Sequence, residues 1–231
     1  MEWATRLQDV IERAPGVKSF RFPRPDEFQY DPGQWMFITI GKGGEMTKHF
    51  TISSSPTEGE FIEFTKKITD HEFSLALDRM RAGDPVTIDG PYGEFTFKGE
   101  YPGIGMLTGG IGITPFRSMI RYCTDKQIPS RITLLYGNHN EESIVFRREL
   151  EEMGSRNPNL AIRHCLSHPG EDWAGRRGHV DRAVIEEEIP DYLERVFYVC
   201  GPPALVTGLV GALGTLQVPP SQVKVEDFPG Y

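Results

Sequence analysis

Three short stretches of this chain carry residue types that can bind and orient a ligand. HFTISSSP (49–56) sets an aromatic ring beside four hydroxyl side chains and stops at a proline. It has the composition of a strand that turns into a loop with hydrogen-bond donors aimed at a ligand. TGGIGITP (108–115) and CGPP (200–203) each follow an apolar run and lead into a helix-like segment. These two stretches indicate ligand contacts where strands end.

The glycine-rich stretch 108–115 has the features of an anion site. Glycines let the backbone approach a ligand closely, and a helix with Pro115 in its first turn offers free N–H groups. The stretch predicts a pyrophosphate cradle, with a tight strand-to-helix turn as the structural alternative. It is not the GxGxxG fingerprint. Cys200 would reach the carboxyl end of its strand, where open α/β sheets bind ligands, although a cysteine there is more often a packing residue.

The elements that position the first stretch are β-strands. Apolar and polar residues alternate in four segments, and turn signals separate them. The segments are VKSFRFP (17–23), WMFITI (35–40), FIEFTKKI (61–68) and DPVTIDG (84–90). One helix is predicted in FSLALDRMRAGD (73–84), with Ser74 as N-cap and a stop at Gly83. Residues 1–98 therefore indicate a small antiparallel barrel or sandwich.

The pattern changes near residue 100, where strands begin to alternate with helices. The predicted strands are IGMLTGG, RITLLYGN, LAIRHCLS, VFYVCGPP and QVKVEDF, with four helices between them. Such alternation indicates a doubly wound parallel sheet. We therefore predict two domains, residues 1–99 and 100–231.

Composition limits the function classes. The net charge of −8 argues against nucleic acid as the main partner. Three distant cysteines without a CxxC argue against structural zinc or iron–sulfur sites and suit a reducing compartment. The N-terminus does not resemble a signal peptide, and no stretch is long enough for a membrane span. These features predict a cytoplasmic protein.

Read together, seven motifs follow one another in a known order: PGQ, HFTISSSP, GPYGEF, GGIGITP, YGNH, CGPP and EDFPGY. This order resembles the ferredoxin–NADP reductase family over nearly the whole chain. The resemblance implies an antiparallel β-barrel flavin-binding domain, followed by an α/β doubly wound parallel-sheet nucleotide-binding domain.

The resemblance also implies roles for individual residues. The family's flavin signature, Arg-x-Tyr-Ser/Thr-x-x-Ser, corresponds to residues 48–54. Phe50 would lie on the flavin ring, and the Thr51 hydroxyl would bind near its reactive nitrogen. The hydroxyls of the stretch would thus serve the ring edge and the loop backbone. Lys48 replaces the family arginine that pairs with the flavin phosphate, so the bidentate fork is lost. His49 would assist or would be a solvated loop histidine.

The FAD form of the family, preferred here over FMN, implies further contacts. The implied flavin-binding residues are Thr65, Lys66, Lys67, Phe73 and Ser74, although Lys66 and Lys67 could instead mark an exposed strand edge. The residues implied for the nicotinamide nucleotide are Gly110, Gly112, Ile113, Thr114, Pro115, Asn138, His139, Cys200, Gly201 and Pro202.

Thr51, Cys200 and Glu226 are the predicted catalytic residues. Cys200 would lie beside the nicotinamide. Glu226 matches a family carboxylate near the flavin and could relay a proton or be an exposed strand-end acid. Phe228 and Tyr231 would stack on the flavin face, unless the terminus is frayed.

The nucleotide preference is open between NADH and NADPH. NADP-preferring relatives carry an arginine where this chain has His139, while Ser167, His168, Arg176 and Arg177 could lie nearby. The balance favours NADH.

The implied activity is hydride transfer between NAD(P)H and FAD, with single electrons passed to a separate redox protein. Ferredoxin, flavodoxin or an oxygenase component could be that acceptor. Two alternatives stay open: an electron-transfer subunit of a larger complex, and a non-catalytic flavin- or nucleotide-binding sensor, which the substitutions at Lys48 and His139 suggest.

Overall fold

The chain forms two compact units in the computed structural model, which describes residues 1–41, 43 and 45–228. Of the described residues, the first unit contains Met1–Lys98 and also Thr114–Tyr122, and the second contains Gly99–Ile113 and residues 123–228. No helix of the described residues is long and apolar enough to cross a membrane.

The first unit consists of two antiparallel sheets and one short helix. Its elements are β1 (Glu2–Arg6), β2 (Asp9–Ala14), β3 (Val17–Pro23), β4 (Trp35–Ile40), β5 (Met46–Thr51), β6 (Phe61–Lys67), α1 (Glu72–Arg79) and β7 (Pro85–Tyr92). One sheet has the order β1-β7-β4-β5, the other has the order β2-β3-β6, and a bridge between Ile52 and Phe64 connects them. Alternate residues of β4, such as Met36 and Ile38, are 0% exposed in a common aromatic and aliphatic core.

The sequence predicted β3 and β4 to the residue but missed β1 and β2. Both missed strands are largely exposed, so they lack the apolar alternation that marks a strand with one buried face. The prediction of Ser74 as N-cap and Gly83 as stop was wrong. His71 is the N-cap and Arg79 is the last residue of α1. Ser74 is buried inside the helix, where its hydroxyl accepts a hydrogen bond of 2.8 Å from the Thr69 N–H.

The second unit is a six-stranded parallel sheet with helices. Its elements are β8 (Gly103–Gly109), β9 (Arg131–Asn138), α3 (Arg147–Arg156), β10 (Leu160–Leu166), β11 (Arg176–Arg177), α4 (Arg182–Glu188), β12 (Val196–Gly201), α5 (Pro203–Thr215) and β13 (Val223–Asp227). Helix α2 (Ile113–Asp125) follows β8. The strand order is β11-β10-β9-β8-β12-β13. The alternating pattern is confirmed, and only the two-residue β11 was not predicted.

This strand order creates a topological switch point between β8 and β12. The chain proceeds from β8 to β9 and β10 on one side and then returns to place β12 on the other side of β8. The loops that leave β8 and β12 therefore meet at the same edge of the sheet, which is the usual ligand site of such folds.

A buried carboxylate lies between arginines in the first unit. Glu63 on β6 is 0% exposed, and its Oε2 lies 2.7 Å from Arg13 NH2 and 2.7 Å from Arg21 Nε. Burial alone would raise the pKa of Glu63, but the positive charges of Arg117, Arg13 and Arg21 outweigh it and hold the pKa below its ordinary value. The carboxylate is therefore ionised at neutral pH.

The turn after β8 is close-packed against the end of β12. A Cβ on Gly112 would come within 2.7 Å of the Cys200 carbonyl oxygen, the Gly201 Cα and the Thr108 hydroxyl. The Thr108 hydroxyl itself donates to the Cys200 carbonyl at 2.8 Å. A side chain larger than hydrogen therefore cannot fit at residue 112 unless the backbone moves.

We expect Glu63→Gln to lower the free energy of unfolding by about 3–5 kcal/mol at pH 7, because it removes a fully buried carboxylate charge from the half-buried Arg13 and Arg21. The difference from the unsubstituted protein should shrink in acid, because a depressed pKa gives stability that is lost as the pH falls through it. Urea denaturation at pH 7 and pH 4 measures both effects. The control Glu12→Gln, at an exposed residue of β2, should change little. Equal losses in the two variants would contradict the buried-pair explanation.

We expect Gly112→Ala to lower the free energy of unfolding by about 1–3 kcal/mol through overpacking against β12. The matched control is Gly211→Ala in α5, where a Cβ meets nothing within 4 Å. That substitution should be neutral or stabilising, because alanine favours a helix more than glycine does. Thermal denaturation of both variants tests the prediction, and an unaffected Gly112→Ala variant would show that the turn is not tightly packed.

Candidate active site

Four residues that the sequence assigned to flavin binding lie together at one end of the first unit. They form the lysine–phenylalanine cluster, defined as Lys48, Phe50, Lys66 and Phe73. The Phe50 ring stacks on Phe64 at 4.6 Å and lies 5.6 Å from Phe73. The Lys66 ammonium lies 5.9 Å from the Phe50 ring centroid.

The electrostatics of this cluster favour an anion. The pKa of Lys66 is lowered first by burial and then by the positive charge of Lys48. Two like charges beside a stacked aromatic ring are costly in isolation, and a bound phosphate would relieve that repulsion. The cluster therefore fits a ligand that combines a planar ring with phosphate groups, as FAD does.

Thr51 and His49 lie on the other face of β5. They pair opposite Trp35 and Phe37, whereas Lys48 and Phe50 pair opposite core residues of β4. The His49 ring lies 5.2 Å from Trp35, and burial followed by the charge of Lys48 lowers its pKa. His49 is therefore a strand residue packed on aromatic rings, and the alternative of a solvated loop histidine was wrong. Thr51 is the last residue of β5, and its predicted role stays a prediction.

The three serines of HFTISSSP bind the protein itself. Ser53, Ser54 and Ser55 are each 0% exposed. The Ser53 hydroxyl lies 2.9 Å from the Thr65 hydroxyl, and the Ser54 hydroxyl accepts from the Glu63 N–H at 2.9 Å. The Ser55 hydroxyl accepts a hydrogen bond from the Thr57 N–H of the loop, as expected of hydroxyls that serve the loop backbone, and the hydroxyls of Ser53 and Ser54 bind groups of β6.

Three further residues predicted to bind the flavin are not members of the lysine–phenylalanine cluster. Thr65 also shares a hydrogen bond with Ser19 at 2.7 Å, so its hydroxyl serves the protein interior. Lys67 is exposed at the end of β6. Ser74 is buried within α1. Their contributions to flavin binding stay predictions.

The nucleotide loop of the second unit has the predicted form. A single 3₁₀ turn (Gly110–Gly112) connects β8 to α2, and Pro115 lies in the first turn of that helix. Gly110 has a φ of +55°, a left-handed conformation that favours glycine. Its carbonyl accepts a hydrogen bond of 2.9 Å from the Tyr136 hydroxyl. Ile113 and Thr114 are buried at the start of α2.

Cys200 and Glu226 are neighbours on paired parallel strands. The register of β12 and β13 sets them opposite each other. Burial, followed by the charge of Asp227, raises the pKa of Glu226 to about 7. The Glu226 Oε2 is buried and has no hydrogen-bond partner among the described residues. The pKa of the Cys200 thiol is raised well above its usual value, mainly by burial, so the thiol is protonated and unsuited to act as a nucleophile.

The end of the chain returns to the same strand. The Phe228 N–H donates to the Gly201 carbonyl at 3.0 Å, which holds the described end of the tail beside the CGPP turn. Pro202 follows as the N-cap of α5. Tyr231, predicted to stack on the flavin, lies outside the described residues.

The carboxyl ends of β9 and β10 carry a second group of predicted residues. The His139 and His168 rings lie 4.3 Å apart, and the Ser167 hydroxyl is 3.0 Å from His168 Nδ1. The amide of Asn138 is buried, and neither its nitrogen nor its oxygen has a hydrogen-bond partner among the described residues. Such an amide can be satisfied by a polar ligand or by water.

The two arginines proposed for this region are engaged elsewhere. Arg176 forms ion pairs with Glu187 and with Glu188, the latter at 2.8 Å. Arg177 donates to the carbonyls of Gly170 at 3.0 Å and Glu171 at 2.9 Å. Ser167 and His168 are therefore the members of the predicted group that the structure brings beside His139.

The sequence did not predict the residues that bind residues 53–55, the stretch after β5 that is hereafter called the flavin segment. Glu63, Glu58 and Arg117 are buried or nearly so and contact residues 53–55. An arginine within the apolar pattern of α2 was the one available signal, because a charge on a buried helix face requires a partner.

Comparisons with known proteins identify two cofactor-binding domains in the chain. A family model described as an oxidoreductase FAD-binding domain matches residues 5–97, and one described as an oxidoreductase NAD-binding domain matches residues 106–210. The chain is 34% identical over 208 residues to the glycine betaine monooxygenase reductase subunit of Chromohalobacter salexigens, with 85% of this chain covered. It spans only 56% of the length of that relative.

Two further similarities cover almost the full length of both proteins. The chain is 31% identical over 236 residues to ferredoxin–NADP reductase B of Sorangium cellulosum, covering 96% of each chain. The cytochrome b5 reductase domain of Ulva prolifera nitrate reductase has a TM-score of 0.86 at 22% identity, covering 99% of this chain and 97% of the other. The latter similarity confirms the predicted fold class.

The predicted cofactors are confirmed by these matches, because an FAD-binding domain and an NAD-binding domain occur in the predicted order. The lysine–phenylalanine cluster supplies a fitting site for the first, and the glycine turn at the switch point supplies one for the second. Sequence, fold and cofactor domains agree, and the chain belongs to the ferredoxin–NADP reductase family.

Proposed function

We propose that this protein is an NAD(P)H-dependent flavoprotein reductase that passes single electrons to a separate redox protein. The observation that carries the proposal is the coexistence of FAD-binding and NAD-binding domains in a chain that aligns with a reductase over 96% of both lengths. When bound, FAD accepts two electrons from a reduced nicotinamide and releases them one at a time.

The residues of the first unit bind and orient the flavin in this proposal. Lys48 and Lys66 supply positive charge for its phosphates, and Phe50 supplies a flat apolar surface for its ring. Lysine offers a point charge where an arginine would offer a planar fork, so these two residues would attract phosphate without fixing its orientation as strictly. Thr51 is proposed to contact the ring edge.

The residues of the second unit bind the nicotinamide nucleotide. Gly110 and Gly112 let the backbone approach the pyrophosphate, and the N-terminus of α2 provides N–H groups. Cys200 through Pro202 would border the nicotinamide, with Phe228 beside them. Asn138 and His139 would contact the adenosine. Hydride transfer requires the nicotinamide to be aligned with the flavin, so the main role of these residues is to position the nucleotide.

The nucleotide preference favours NADH. Recognition of the additional phosphate of NADPH is best served by an arginine fork. Arg176 is paired with two glutamates and Arg177 is bound to loop carbonyls, which leaves the His139–His168 pair at this position. An imidazole ring does not offer the planar bidentate fork with which an arginine binds a 2′-phosphate.

The acceptor is proposed from the nature of the relatives. The Chromohalobacter relative is a monooxygenase reductase subunit and the Sorangium relative is a ferredoxin–NADP reductase. An oxygenase component, a ferredoxin or a flavodoxin is therefore the proposed class of partner. A cytoplasmic location stays a prediction, supported by the three cysteines, which are buried and free.

The first expected result is a yellow protein that its donor bleaches. After incubation with FAD, the purified protein should show a flavin absorption spectrum, and anaerobic NADH should bleach it with a higher kcat/KM than NADPH. FMN in place of FAD is the control for flavin type. A protein that binds neither flavin would contradict the reductase and favour the sensor alternative, whereas a large preference for NADPH would overturn only the nucleotide assignment.

Glu226→Gln should remove a pH dependence of the free energy of unfolding. Because the folded pKa of this acid is raised from 4.5 to about 7, the unfolded chain ionises first, and stability declines as the pH rises between these two values. The glutamine variant should lose this decline, on the order of 2 kcal/mol, which denaturation at pH 5 and pH 8 measures.

The same substitution tests a proton role. If Glu226 transfers or holds a proton, the rate of flavin reduction by NADH should lose an inflection near pH 7 in the variant. Glu171→Gln, at an exposed position, is the control for a lost carboxylate. An inflection that persists in Glu226→Gln would exclude this carboxyl as its source.

A further inference from the structure

The early part of α2 belongs to the first unit. Residues Thr114–Tyr122 cluster with Met1–Lys98, although they follow directly after the nucleotide loop in the chain. Two polar residues of this part are buried: Arg117 is 2% exposed and Ser118 is 0% exposed. Buried polar side chains of this size require specific partners.

Those partners are backbone carbonyls of the flavin segment. Arg117 NH1 donates to the Ser53 carbonyl at 3.1 Å, and the Ser118 hydroxyl donates to the Ser54 carbonyl at 2.6 Å. Two adjacent peptide groups that follow β5 are thus held by two adjacent residues of one helix.

Glu58 extends the same arrangement to the next residue. Its carboxylate binds the Arg117 guanidinium through both oxygens, with NH2 and Oε1 2.8 Å apart. Its Oε2 also accepts the Ser55 N–H at 2.7 Å. The planar guanidinium therefore connects a carboxylate and a carbonyl at once, which a lysine ammonium cannot do with the same geometry.

The opposite side of the segment is bound to β6. The Ser53 N–H donates to the Glu63 carbonyl at 2.7 Å, and the Ser53 hydroxyl contacts the same carbonyl at 3.1 Å. The segment is consequently fixed between β6 and α2, and its conformation depends on both.

We propose that Arg117 and Ser118 are positioning residues of the reductase: by binding the carbonyls of Ser53 and Ser54, they fix the end of β5 and with it the positions of Phe50 and Thr51 relative to FAD. This inference rests on the proposed function. Neither residue contacts a reacting atom. Thr114 and Pro115 stand one turn earlier in the same helix.

The experiment uses two variants of α2 and two controls, of which the arginine is matched in burial and the serine is exposed and tests only the loss of a hydroxyl. Arg117→Lys keeps the charge but loses the fork, and Ser118→Ala deletes a single hydroxyl. The matched control for the first is Arg195→Lys, because Arg195 is 6% exposed and likewise binds carbonyls and a carboxylate, but in the second unit. The control for the second is Ser155→Ala, whose hydroxyl donates to the Glu152 carbonyl at 2.7 Å.

The measurements are the dissociation constant of FAD, the limiting rate of flavin reduction at saturating NADH, and the midpoint potential of the bound flavin. We expect Arg117→Lys to weaken FAD binding about tenfold and to lower the limiting rate, since a lost charged hydrogen bond at a buried carbonyl has that size. Ser118→Ala should produce a change of about threefold in the same direction. Both control variants should retain the FAD affinity, rate and potential even where the melting temperature falls.

Each outcome decides a different point. If the unsubstituted protein does not bind FAD or is not reduced by NADH or NADPH, the proposed function fails and the positioning proposal fails with it. Suppose instead that the protein is a reductase and that Arg195→Lys and Arg117→Lys lower the melting temperature equally. If the two variants then lose flavin affinity and reduction rate to the same extent, the proposed function stands and the positioning role is overturned. A Ser118→Ala variant with unchanged flavin affinity, rate and potential would also overturn it.

Discussion

The peptide groups of residues 53–55 are buried outside any regular element, and each needs a hydrogen-bond partner because an unsatisfied buried amide is costly. Their partners come from two directions: the Glu63 carbonyl of β6 on one side, and Arg117, Ser118 and Glu58 on the other. This requirement connects β5, β6 and α2 at one place. The adjacent residues of β5, which carry the proposed flavin contacts, take their position from that connection.

Two glutamates show how the surroundings decide the chemistry of one residue type. Glu63 has arginines around it, which overcome the effect of burial and keep its pKa low. Glu226 has an aspartate as its neighbour, which adds to the effect of burial and raises its pKa to about 7. The first carboxyl is a permanent charge that stabilises the fold, whereas the second changes protonation near neutral pH. A structural role suits the first, and a role in proton handling suits the second.

The parallel sheet brings together two loops that are distant in the chain. The glycine turn after β8 and the turn after β12 lie far apart in the chain, but the switch in strand order makes the two strands neighbours. Gly112 then permits a contact between the two turns that a Cβ would prevent. Glycine is required there for space, while at Gly110 the left-handed φ is the reason. One loop therefore contains two glycines with separate physical causes.

The sequence by itself determined the order of elements, the class of each domain and the positions of the glycine turns, because periodicity and turn chemistry are local properties. Strands such as β3, β4 and β9 were predicted to the residue on that basis. Strands β1 and β2 were missed because both are largely exposed, and their sequences lack the alternation of apolar and polar residues that marks a strand with one buried face. The flavin and nucleotide candidates were predicted from the family resemblance, whereas the residues that surround them could not be predicted.

Only the tertiary structure decided the partners of the buried polar groups. The hydroxyls of HFTISSSP were expected to serve the ring edge of a ligand and the loop backbone, but the sequence could not name Thr65 and the Glu63 N–H as the partners of Ser53 and Ser54. Arg117 finds its carbonyl partner 64 residues away in the chain. A hydrogen bond across such a separation depends on how elements pack, and no local pattern in a single sequence encodes it. Local sequence patterns therefore specify the helices and strands, whereas tertiary packing determines the hydrogen-bond partner of each buried polar side chain.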